Sequence, residues 1–104
     1  MKAPTQSEGQ TRFLSWEVQQ AAMKLVKEIM LVQPDETLVI TCDTTSDERV
    51  VQATAAAALE AGAKPTVIQF PASLYQAIMV EPTKPVLEAI KAADVWIEYD
   101  YQLF

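Results

Sequence analysis

The sequence predicts an α/β fold, a three-stranded mainly parallel sheet flanked by helices in the Rossmann-like or flavodoxin-like manner, on three observations. Three short runs rich in β-branched and aromatic residues, TLVITC, TVIQF and VWIEYDY, read as strands. Each follows a stretch with helical spacing of its apolar residues. Breakers stand between them at Pro34, Gly62 and Pro71. Alternating helices and strands imply right-handed crossovers and a parallel sheet covered on both faces. Two strand orders, 2-1-3 and 3-2-1, both satisfy this pattern.

Taken in order, residues 1–13 are polar, with Pro4 and Gly9, and are expected to form a flexible arm ahead of a single α/β domain over residues 14–104. Ser15 is placed to cap a helix running from Trp16 to about Leu31, with Val18, Ala22, Leu25, Val26 and Ile29 on its inward stripe. Pro34 ends it, because a proline drives its predecessor out of helical geometry. TLVITC then has the continuous apolar content of a strand buried on both faces. Asp43 to Asp47 form a turn, and Ser46 or Asp47 caps a second helix that stops at Gly62. Its second half, ATAAAALEAGA, is small enough to lie close to a sheet. Thr66 to Phe70 is the second strand, followed by the connection PASLYQAIMVEP. Thr83 caps a third helix that tolerates Pro85 in its first turn and turns Val86, Ile90 and Ala93 inward. Asp94 opens the last strand.

Composition excludes several functions. With 8 basic against 14 acidic residues the net charge is −6, which repels nucleic-acid phosphates and anionic lipid. Neither nucleic acid nor membrane is expected as a partner. No apolar run approaches the roughly 20 residues of a membrane span, and MKAPTQSEGQ lacks a signal-peptide core, so a cytoplasmic location is the expectation. There is no histidine, which removes the commonest metal ligand and general base, and the single cysteine, Cys42, cannot close an internal disulfide.

The stretch VITCDTTSDERV is the natural place for a site, since the carboxyl end of a strand in an α/β sheet is where ligands bind. Cys42 resembles a phosphatase thiol in position. Asp43, Asp47 and Glu48 nevertheless surround it with negative charge, and Arg49 falls one residue too late for the anion loop of such enzymes. It reads as a small residue filling a strand end. Asp43 and Asp47 could pair on a divalent cation, but Thr45 stands where a haloacid-dehalogenase-like site needs its second acid, and a receiver-like site lacks its later lysine. They read as organisers of the turn and the helix start. No glycine occurs between Glu36 and Gly62, so glycine-rich nucleotide loops are absent. The aromatics Trp16, Phe70, Tyr75, Trp96, Tyr99, Tyr101 and Phe104 are expected mainly in the core. The cleft candidates are therefore Asp43, Thr44 and Asp47 after the first strand, and Glu98, Tyr99 and Asp100 at the end of the third. No catalytic, cofactor-binding or metal-ligating residue is assigned.

The order of short motifs adds a resemblance. Pro34-Asp35-Glu36 precedes the first strand, Asp43-Thr44 with Asp47 comes after it, Ala61-Gly62-Ala63 precedes the second, and Glu81-Pro82 precedes the third helix. From Trp16 to Tyr101 the chain resembles the N-terminal domain of the thermophilic leucyl aminopeptidase family, which is related to 2,5-dihydroxypyridine dioxygenase. It departs where Asp35 replaces a usual glycine and where Pro85 is displaced from a usual second proline. The resemblance implies a scaffold domain of a dimeric metalloenzyme, with the divalent metal and its ligands in the remaining, catalytic domain.

Two expectations result. In the first, the chain is the non-catalytic N-terminal piece of a metal-dependent aminopeptidase-like hydrolase or dioxygenase, inactive alone and partnered by the catalytic domain. In the second, it is a stand-alone small-ligand or protein-interaction module that forms a homo-oligomer through its third strand or its Trp16 helix.

Overall fold

A computed structural model describes residues 6–72 and 83–99. Helix α1 spans Gln6–Lys24 and runs directly into a π-helical turn, Leu25–Ile29. Strand β1 is Thr37–Asp43, α2 is Glu48–Glu60, β2 is Lys64–Phe70, α3 is Lys84–Ala92 and β3 is Val95–Glu98. The three strands form one parallel sheet in the order β2-β1-β3. That arrangement is the expected α/β fold, and it selects the 2-1-3 order.

The first helix departs from expectation at both ends. It starts at Gln6, so Ser15 lies inside it and residues 6–13 are helical rather than an arm. At its other end Met30 N–H donates to the Leu25 carbonyl at 2.8 Å, a wider turn that adds a residue and rotates the last turn off the inward stripe. Val26 is completely buried, whereas Ile29, expected inward, is 64% exposed. Leu31 then takes a left-handed backbone, φ 52°, and Val32 N–H returns to the Val26 carbonyl at 2.9 Å.

Helix α2 begins and ends as its residue types dictate. Asp47 accepts the Arg49 backbone N–H at its N-terminus. At its C-terminus Gly62, φ 85°, lets Ala63 N–H reach the Ala58 carbonyl at 2.9 Å and Gly62 N–H reach that of Leu59 at 3.0 Å, the paired bonds of a Schellman stop. Strand β2 starts earlier than expected, at Lys64, and contains Pro65. A proline fits there because Lys64 N–H points inward to the Glu36 carbonyl, 2.8 Å, so the next nitrogen faces the outer edge, where no donor is needed.

Two layers cover the sheet. On one face Leu38, Ile40 and Cys42 of β1 and Ile97 of β3 pack with Ala22 and Val26 of the first helix and with Val51, Ala53, Ala57 and Ala58 of α2. The alanines bring α2 close to the strands, which is why this face holds most of the buried core. On the other face Phe70 and Val86 are buried together, with Ile68 and Ile90 against them, so α3 covers the β2 side. Two aromatics expected in the core are not there: Trp16 is 63% and Trp96 42% exposed. Tyr75, Tyr101 and Phe104 lie outside the described residues.

Candidate functional site

The β1–α2 corner is built around Asp43. This last residue of β1 is 1% exposed, and its Oδ1 accepts the Thr45 backbone N–H at 2.7 Å and the Thr45 hydroxyl at 2.5 Å. Its own N–H donates to Ser46 Oγ at 3.0 Å, and its carbonyl accepts from Ser46 N–H at 3.0 Å. The run Thr-Thr-Ser after an aspartate folds this way because short hydroxyl side chains can satisfy the buried carboxylate and the turn backbone at once. Burying the carboxylate is tolerable only with such partners.

Ser46 also joins the corner to β3. Its hydroxyl donates to the Tyr99 carbonyl at 2.6 Å, across a separation of 53 residues. Tyr99 N–H donates to the Thr41 carbonyl at 2.8 Å. The Thr54 hydroxyl donates to the Val50 carbonyl at 2.8 Å, and so accepts from the Tyr99 hydroxyl at the same distance. Thus Asp43, Ser46, Thr54 and Tyr99 fasten α2 and the carboxyl ends of β1 and β3 together. In a 2-1-3 sheet the β1/β3 boundary is where strand order reverses and where a ligand crevice is expected. Here these side chains occupy it.

The remaining candidates are dispersed. Thr44 N–H donates to the Phe70 carbonyl at 3.1 Å and its hydroxyl accepts Ala72 N–H at 3.1 Å, which ties β1 to the end of β2. Asp47 faces solvent and holds the Arg49 side chain through contacts of 3.2 and 2.9 Å. The Arg49 side-chain hydrogen bond, then its backbone N–H, holds the Asp47 carboxyl below the usual carboxylate range and raises the guanidinium in return. Glu98 is exposed beside Trp96 on the face opposite Tyr99. Asp100 lies outside the described residues. The corner unites Asp43 with Tyr99, while Asp47 and Glu98 point elsewhere.

Cys42 is buried, its Sγ 3.7 Å from the Ile68 carbonyl, and lines a cavity of about 170 Å³ with Ser46, Glu48, Val51, Val67 and Gln69. A second, apolar cavity of about 160 Å³ lies where Val18, Ala22 and Leu25 face Val50, Thr54 and Tyr99. Among the described residues no three His, Cys, Asp or Glu side chains gather closely enough to hold a metal ion. Among them, too, no helix is long and apolar enough to cross a membrane. Chemically, the corner is a set of mutually satisfied donors and acceptors. Sequence reasoning noticed Ser46 as a cap and missed it as the link between β1 and β3.

At the opposite end of the sheet, Asp94 accepts the Thr37 backbone N–H at 2.8 Å and the Thr37 hydroxyl at 3.1 Å. The Thr37 backbone bond first, then its hydroxyl, lowers the Asp94 pKa from the ordinary carboxylate value.

No family model and no curated protein matches the sequence. Among solved structures the fold is similar to 2,5-dihydroxypyridine dioxygenase from Pseudomonas putida KT2440, with a TM-score of 0.66 and 19% identity. The match covers 86% of this chain and 29% of that one, so the chain spans less than a third of the neighbour's length. At that identity the likeness is one of fold.

Proposed function

We propose that the chain is the non-catalytic N-terminal α/β scaffold of a larger metalloenzyme, of the leucyl aminopeptidase type or its dioxygenase relative, and shapes the cleft and assembly of that parent. The observation carrying this reading is the match of 86% of the chain to 29% of the dioxygenase. Nearly all of this fold has a counterpart there, while most of the counterpart's length lies elsewhere. The internally satisfied corner at Asp43 supports it as well, because the usual ligand crevice of such a sheet is here spent on tying strands together. In this reading the divalent metal belongs to the catalytic domain of the parent. The test is intact mass and metal content of the natural gene product. A product well above 11.5 kDa carrying stoichiometric divalent metal is expected. A product near 11.5 kDa that forms a stable homodimer overturns the scaffold reading in favour of a stand-alone interaction module.

A further inference from the structure

The two outer edges of the sheet differ. On β2 the edge is blunted by Lys64 and Pro65, the residue types that discourage another strand. On β3, Val95-Trp96-Ile97-Glu98, no proline or lysine stands in the way. Tyr99 N–H points inward to Thr41, so the alternation of the strand turns the backbone groups of Trp96 and Glu98 outward. Among the described residues no strand pairs with them.

The faces differ in the same direction. Trp96 Nε1–H donates to Thr41 Oγ1 at 2.9 Å, which lays the indole over the α3 side of the sheet while 42% of the residue stays exposed. On that face α3 packs against Phe70 and Ile68 of β2, and the buried cluster they form does not include Trp96. Parallel sheets are covered on both faces.

Handedness says what fits. The β1–α2–β2 crossover places α2 on one face, and the connection from β2 back across β1 to β3 places α3 on the other, as right-handed crossovers running in opposite directions require. A further crossover continuing outward from β3 runs in the β2-to-β3 direction. Its helix must therefore fall on the α3 face, over Trp96, and its strand beside β3 in parallel.

We infer that the β3 edge and the Trp96 face together receive one helix-strand unit of the parent polypeptide, extending the sheet to β2-β1-β3-β4. This rests on the scaffold reading of the chain. A second copy of this chain is a poorer occupant, because each copy carries a net charge of −6.

The experiment is residue-resolved amide hydrogen exchange on the natural gene product, after its intact mass is known. A product larger than 11.5 kDa is expected, with the outward amides of Trp96 and Glu98 exchanging at least ~100-fold slower than unstructured peptide, as the inward amide of Tyr99 does. Replacing Glu98 by proline, which removes an outward donor and no inward one, is then expected to release protection at Trp96 and leave that of Ile40 in place. A large product in which Tyr99 is protected while Trp96 and Glu98 exchange freely overturns this inference and leaves the scaffold reading standing. Protection that appears only as protein concentration rises assigns the edge to a second copy and also overturns it. A mass near 11.5 kDa overturns both readings.

Discussion

Strand β1 is clasped to β3 at both ends by an aspartate and a hydroxyl residue, but the two clasps are built to opposite specifications. At the amino end Asp94 sits in solvent and its carboxylate receives the Thr37 N–H and hydroxyl directly. At the carboxyl end Asp43 is almost fully buried, and the link to β3 passes through Ser46 to the Tyr99 carbonyl. An exposed carboxylate loses little when its partner is removed, since water replaces it. A buried one has no such substitute, so its partners are obligatory. The lesson is that an aspartate at the functional end of an α/β sheet can be a structural group, and that its burial and partners, rather than its address, decide the matter.

Asp43→Ala should break the comparison hardest. It removes a buried side chain together with the acceptor of the Thr45 N–H and hydroxyl, and should cost about 1–3 kcal/mol of stability in urea unfolding. A loss no larger than that of Asp94→Ala would show that the two clasps are equivalent after all. Gly62→Ala comes next. Gly62 accepts Asp35 N–H near the amino end of β1, and an added Cβ would sit 3.3 Å from Pro34 Cβ in a left-handed backbone. About 1–2 kcal/mol should be lost, read by thermal unfolding. Tyr99→Phe removes the bond to Thr54 while leaving the Ser46 link to the backbone, and should cost about 0.5–1.5 kcal/mol. An unchanged midpoint would place the strength of the carboxyl clasp in Ser46 alone.

The smallest effect is expected from Asp94, and pH isolates it. Its folded pKa is depressed by Thr37, so its contribution is complete above the unfolded carboxylate value of 3.8 and is lost as pH falls below that value through the folded one. Asp94→Asn, which keeps an acceptor for Thr37 N–H but cannot titrate, should flatten the stability profile between pH 5 and about 2 by lowering the neutral plateau slightly while leaving the acid-side stability unchanged. Denaturation midpoints across that range measure it. An unchanged slope would mean that other carboxylates, Asp47 with its Arg49 partner foremost, carry the acid sensitivity.

These contrasts also mark how far the sequence alone could be read. Strand positions, the Asp47 cap and the Gly62 stop were legible because each depends on local chemistry: β-branched runs, a side-chain acceptor at a helix start, a residue that adopts positive φ. The first helix was misplaced at its start because Ser15 has the character of a cap yet its neighbours on both sides are helical. Ile29 was misassigned because the π turn breaks the 3.6-residue spacing on which the inward stripe was drawn. The second strand was begun at Thr66, two residues late, because proline usually excludes a strand interior and nothing local reveals that β2 is an edge. At the site, Asp43 and Tyr99 were singled out, but the bond that unites them spans 53 residues and has no sequence signature. Asp47 and Glu98 share the acidity of a cleft residue and not its direction.

The central position of β1 has a kinetic consequence. Its seam with β2 joins residues such as Cys42 and Ile68, 26 apart, whereas its seam with β3 joins Thr37 to Asp94, 57 apart. Each doubling of loop length adds about 0.6 kcal/mol to closure, so the β1–α2–β2 unit should assemble first and β3 should arrive last. Ile97→Val is then expected to accelerate unfolding with little change in the folding rate, while Val51→Ala slows folding, in stopped-flow chevrons. The strand whose outer edge carries no proline or lysine is thus also the last to be committed, which leaves that edge unformed until the rest of the sheet is in place.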